Sequence, residues 1–150
     1  MARTDQRTKL IKGTVTNDNA DAGYVGEVAR SAVGPTNFPT STQWGDITSI
    51  SLTAGDWDVT GVIYAQANSA TVTKVQMAIT TTSGNSTAGF IVGDNAIGVY
   101  LPTNTADSSG TIPSVRVSLS ETTVVYLKFN ATFSAATPQA YGRISARRIR

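Results

Sequence analysis

The sequence predicts an all-β domain, an antiparallel jelly-roll β-sandwich preceded by an extended N-terminal arm. From Trp57 to Gln66, and again from Val124 to Phe133, apolar and polar residues alternate with a period of two, the mark of strands with one buried face. Clusters of Gly, Asn, Asp, Ser and Pro punctuate such segments about every ten residues, and no dozen-residue stretch has the spacing of an amphipathic helix. About eight strands in two sheets follow, and the absence of Cys removes the Cys and Trp signature of an immunoglobulin-like sandwich. The jelly roll remains.

Residues 1–22 have no usable periodicity and end in the turn chemistry of Thr16 to Gly23, so they are read as the arm, with residues 23–150 as the domain. Tyr24 to Ala32 reads as a first strand. Pro35 and Pro39 make Gly34 to Thr40 a loop around Phe38, because proline cannot donate to a central ladder. Trp44 to Leu52 alternates loosely into the turn Thr53-Ala54-Gly55-Asp56, and the strand from Trp57 completes what looks like a hairpin, with Trp57, Val59 and Ile63 inward.

Asn68-Ser69-Ala70 turns the chain into Thr71 to Thr82, with Val75, Met77 and Ile79 inward and Lys74, Gln76 and Ala78 opposite. Ser83 to Gly89 is a loop, Phe90-Ile91-Val92 a short apolar piece, Ala96 to Leu101 a further strand, and Pro102 to Gly110 an exposed loop. Ile112 to Leu119 presents Val115, Val117 and Leu119 on one parity. Val124 to Phe133 places Val125, Leu127, Phe129 and Ala131 inside, with Tyr126, Lys128 and Asn130 outside. Tyr141 to Ile149 closes the chain, with Ile144 and Ala146 inward and Arg143, Ser145 and Arg147 outward. The expected core is thus Trp57, Val59, Ile63, Val75, Met77, Ile79, Val125, Leu127, Phe129 and Ile144.

A chain of 150 residues is long enough for one core without staples. It contains neither Cys nor His, so thiolate chemistry, Cys-based zinc sites and most hydrolytic triads are excluded. Only 15% of residues are charged, while 37 are Ser or Thr, giving a surface richer in hydroxyls than in charge. The charge is unevenly placed. Arg3, Arg7, Lys9 and Lys12 face only Asp5 at the N-terminus, Arg143, Arg147, Arg148 and Arg150 end the chain, and between them four cations meet nine acids. An acidic body is a poor platform for phosphate backbones, so no nucleic-acid partner is expected. No apolar run approaches a membrane span, and Leu10-Ile11 is too short for a signal-peptide core, which predicts a product made in the cytoplasm with no membrane partner.

Candidate chemistry is sparse. Asp56 and Asp58 share a strand parity but read as a solvated strand end, Asp94-Asn95 as a turn pair, and Arg147-Arg148-Ile149-Arg150 as a solvated or inter-subunit strand end. Asn85-Ser86-Thr87 and Asn130-Ala131-Thr132 match the glycosylation triplet without a secretory signal. No catalytic motif stands out, and no enzyme activity, cofactor or metal is expected.

Two stretches, I-S-L-T-A-G-D-W-D-V-T-G at Ile50 to Gly61 and A-Y-G-R-I-S-A-R-R-I-R at Ala140 to Arg150, resemble modules of bacteriophage head-decoration, head-fibre and tail-fibre proteins. The resemblance spans roughly residues 47–150. It implies a trimeric jelly roll similar to tumour necrosis factor and a virion location, with a copy of itself and the capsid or another virion protein as partners, and no catalytic residue. On that reading the arm attaches the trimer to the particle through Arg3, Arg7, Lys9 and Lys12, with Leu10, Ile11 and Val15 as apolar anchors. The alternative it implies is a tail module for a receptor or host-surface glycan, for which Tyr64, Tyr126 and Trp44 would be the stacking residues.

Overall fold

The computed structural model describes residues 19–150, with residues 99–104 as backbone only. Eight strands make up the domain: β1 (Val28–Asn37), β2 (Trp44–Leu52), β3 (Gly55–Gln66), β4 (Thr71–Thr80), β5 (Ala96–Asn104), β6 (Ser108–Leu119), β7 (Thr123–Ser134) and β8 (Gln139–Arg148). They form two four-stranded antiparallel sheets, a first in the order β1-β8-β3-β6 and a second in the order β2-β7-β4-β5. Two four-stranded sheets in this interleaved order are a jelly-roll sandwich.

The interleaving corrects the expected hairpin. β2 and β3 follow each other in sequence but belong to different sheets, so Thr53 to Gly55 is a corner between layers. Of the consecutive strands, only β4 and β5 pair directly. Alternation identifies a strand and its buried face, but both a hairpin and a corner need only a short turn, so alternation cannot separate them.

Between the sheets lies one cluster. Trp57, Val59, Ile63, Met77, Ile79, Val125, Leu127, Phe129 and Ile144 are buried in it, whereas Val75 is half-buried at its margin, packed against the cluster. Phe38 closes one end, its ring 4.2 Å from that of Phe129 and edge-on to it. On β6 both Ile112 and Val115 are buried although three residues apart, because a bulge opposite Val59 and Gly61 switches the strand's facing.

Other boundaries move for local reasons. β1 begins at Val28, not Tyr24, because Gly23 and Gly26 adopt positive φ and residues 21–27 form successive turns. It then runs through Gly34-Pro35, expected to be loop. β1 is an edge strand, and its ladder with β8 shifts between Val33 and Thr36, where the proline sits. The loop expected over 102–110 shrinks to residues 105–107, since β5 and β6 extend into it. No helix among the described residues is long and apolar enough to cross a membrane.

Candidate assembly surface

The two sheets present different outer faces. In the first sheet, strict alternation along β8 turns Tyr141, Arg143, Ser145 and Arg147 away from the core. Register fixes their neighbours: Tyr64 lies opposite Tyr141, Val62 opposite Arg143, Thr60 opposite Ser145 and Asp58 opposite Arg147, while Arg30 of β1 lies opposite Ser145 from the other side. The face therefore has an aromatic end and a cationic end.

At the aromatic end the two tyrosine rings sit 5.8 Å apart. Each remains 40% exposed. Both rings are held in place. The Tyr64 hydroxyl bonds the Asp107 carboxylate, which also accepts the Ala67 amide at 2.9 Å. This pairing raises the Tyr64 pKa and lowers that of Asp107. The Tyr141 ring lies across Gly34, where a Cβ would fall 2.2 Å from a ring carbon, so only glycine admits it.

At the cationic end the C-terminal arginines divide by parity. Arg148, expected among solvated residues, is buried and closes the end of the sandwich. Its guanidinium stacks 4.3 Å from the centre of the Trp57 ring. Its Nε donates to Glu27 Oε2 at 2.9 Å, its Nη1 to the Ala54 carbonyl at 2.8 Å, and its Nη2 to the Thr53 hydroxyl. The Gly23 amide, then Arg148, lower the Glu27 pKa. Gly55 takes φ of 140° beneath the Arg148 side chain, leaving no room for a Cβ.

Asp56, expected to be solvated, is buried as well. Its Oδ2 accepts Arg116 Nη2 at 2.8 Å and Arg150 Nε at 2.7 Å. Arg116 first, then the Ser118 hydroxyl and Arg150, hold its pKa down to about 2. Arg116 and Arg150 are thus committed within the chain, whereas the guanidinium groups of Arg30, Arg143 and Arg147 have no hydrogen bond or ion pair among the described residues.

The second sheet's outer face is covered instead. Residues 81–95, between β4 and β5, fold back over β7 and β4. Lys128, expected outside, is fully buried beneath them, its Nζ donating to the carbonyls of Thr82 at 3.1 Å and Ser86 at 2.7 Å and lying 5.5 Å from the centre of the Phe90 ring. Burial lowers its pKa, against the pull of Asp46. Asn130, also expected outside, is buried and donates to the Thr42 carbonyl at 2.6 Å. Asp46 and Asn85 tie the loop down further, accepting the amides of Gly84 at 3.0 Å and Trp44 at 2.8 Å. Half-buried Trp44 packs edge-on to Phe90 with ring centres 4.7 Å apart, and Tyr126 is half-buried too.

The arm residues Arg3, Arg7, Lys9, Leu10, Ile11, Lys12 and Val15 lie outside the described residues. Sequence reasoning placed Arg143 and Arg147 outward but missed Arg30 and Tyr141 as their companions. Finding them needed the pairing of β8 with both β1 and β3, which no local pattern encodes. The two segments that carry the phage resemblance meet in space, since Ile50 to Gly61 feeds β3 and Ala140 to Arg150 forms β8, its direct neighbour. Comparison with protein-family models and with curated protein sequences finds no match to this chain.

Proposed function

We propose that the protein is a non-enzymatic structural component of a bacteriophage particle, associating with copies of itself as a homotrimer and attaching to the capsid or another virion protein through its basic N-terminal arm. The observation that carries this reading is the composition of the first sheet's outer face. Tyrosine and arginine are the residue types enriched at protein interfaces, while Lys, Glu and Asp are depleted there. The face offers Tyr64, Tyr141, Arg30, Arg143 and Arg147 with Val62, and Asp58 is the one acid set opposite them. The resemblance of residues 50–61 and 140–150 to phage modules supplies the particle.

Two measurements test it. Light scattering on the full chain at micromolar concentration should give three chain masses, and a single chain mass would overturn self-association. Deleting residues 1–22 should leave the trimer intact but abolish binding to undecorated particles, in a salt-sensitive manner for wild type. Full-occupancy binding by the truncated protein would move attachment to the jelly roll.

A second reading, a glycan-binding module, is favoured by a groove of about 210 Å³ on the second sheet, lined by Trp44, Phe90, Lys74 and Gln76. An aromatic wall beside an amide and an ammonium suits one sugar ring. Trp44→Ala should then remove binding on a glycan array without altering the solution mass.

A further inference from the structure

The three unpaired arginines crowd one another. Arg143 and Arg147 flank Ser145 on β8, and Arg30 stands opposite Ser145 on β1, so Arg30 is the diagonal neighbour of both, at roughly 7–8 Å between backbones. Asp58, opposite Arg147, is shared with Arg116 on its other side. This end of the face therefore calls for outside carboxylates.

Such carboxylates exist on the same molecule, across the sheet. An open groove of about 470 Å³ runs along the edge strand β6 from Val115 to Ser120 and is walled by Gly89, Ile91, Asp94 and Asn95 of the covering loop. Asp94 and Glu121 line it, and neither carboxylate has a hydrogen bond or ion pair among the described residues. Ile91, 61% exposed, adds an apolar contact. Arg116 also lines the groove, but its guanidinium is held by Asp56.

We propose that this groove is the seat of a second copy of the chain, with Arg30, Arg143 and Arg147 of one copy pairing Asp94 and Glu121 of the next. The proposal rests on the self-association read above and names its two sides. Twofold contact of the face with itself would oppose arginines to arginines or lay them over tyrosines, and either way the groove's carboxylates stay unpaired. Contact between the two different patches satisfies both sets with charge-assisted hydrogen bonds. A heterologous contact of this kind builds a ring when its rotation closes, and a rotation of one third of a turn gives the trimer. The arginine crowding also disfavours the wrong pairing.

Charge reversal in the full chain tests the pairing, with mass read by light scattering and folding verified by circular dichroism. Arg143→Glu with Arg147→Glu should dissociate the assembly or weaken it tenfold or more, as should Asp94→Lys with Glu121→Lys, and combining all four should restore three chain masses. The neutral sets Arg143→Ser with Arg147→Ser and Asp94→Asn with Glu121→Gln carry the same expectation in weaker form and replace any reversed variant that fails to fold. Wild type that trimerises while both reversed pairs stay trimeric overturns this interface but leaves self-association standing. Loss with the arginine pair alone, the acidic pair being unaffected, assigns the face to another partner and also overturns it, as does a folded four-site variant that remains dissociated. A monomeric wild type removes self-association itself.

Discussion

The outer faces of the two sheets have nearly opposite fates although their strands follow the same alternating pattern. On the second sheet a lysine and an asparagine at outward positions are buried and paired internally, Lys128 with carbonyls of a 15-residue excursion, residues 81–95, and Asn130 with the Thr42 carbonyl. On the first sheet two tyrosines and three arginines at outward positions stay bare. The lesson is that outward parity says only that a side chain leaves the sandwich core. Whether it then meets water, a loop or another chain depends on what the topology lays over it. Where the chain supplies its own cover, polar groups are paired internally, as buried groups must be. Where it does not, unpaired cations and half-exposed rings accumulate, the residue types that are enriched at protein interfaces.

Four perturbations break or sharpen this contrast. The largest effect belongs to neither face but to the core they share: Trp57→Ala or Phe129→Ala should cost about 3 to 5 kcal/mol, read by denaturant unfolding. An unchanged midpoint would mean that the parity of β3 and β7 is inverted and the two outer faces wrongly identified. Next comes the covered face. Lys128→Met keeps the aliphatic stem but strips the Thr82 and Ser86 carbonyls of their donor, and should cost about 1 to 3 kcal/mol while opening residues 83–89 to proteolysis. A variant as protease-resistant as wild type would show that the loop is held without its lysine.

A pH titration separates the buried acid from the bare arginines. Asp56 has a folded-state pKa of about 2 against an ordinary 3.8, so the stability it contributes is fully present above its unfolded value and is lost as pH falls through the folded one. Asp56→Asn should flatten the acid limb of the stability curve between those two values, and a limb of unchanged slope would assign it to other carboxylates. Smallest is the bare face: Arg143→Ser with Arg147→Ser should alter the stability of the dissociated chain by no more than about 0.5 kcal/mol. A larger loss in dilute monomer would mean that the arginines serve the fold rather than an interface.

The strands were largely legible in the sequence because burial on one face of β3, β7 and β8 imposes a period that needs no tertiary knowledge. Their arrangement was not. Leu52 and Trp57 are separated by the same few residues whether the chain makes a hairpin or crosses between sheets, and the Thr53-Ala54-Gly55-Asp56 turn suits both. The bare face was half legible. Arg143 and Arg147 declare themselves outward by alternation along β8, but Arg30 joins them only through pairing across more than a hundred residues. Lys128 was read as solvated because its cover, residues 82–90, approaches through space and not through the strand's own pattern. Arg148 has the inward parity of Ile144 and Ala146 and was misread because its charge was weighed above its parity, whereas Asp56 was misread for a reason related to that of Lys128. At the end of a sandwich the closing turns turn back over the last residues of a strand, so parity loses its meaning there.

Selective nitration of tyrosines, located by mass spectrometry, tests most directly whether the bare face is an interface. Within a single chain Tyr24 is 68% exposed and Tyr64 and Tyr141 are each 40% exposed, so all three are open to reagent. At micromolar chain concentration Tyr24 should react while Tyr64 and Tyr141 are protected, and dilution below the dissociation constant should restore their reaction without any loss of fold. Equal reaction of all three tyrosines at every concentration would contradict the account, leaving the first sheet's outer face a surface that meets only water.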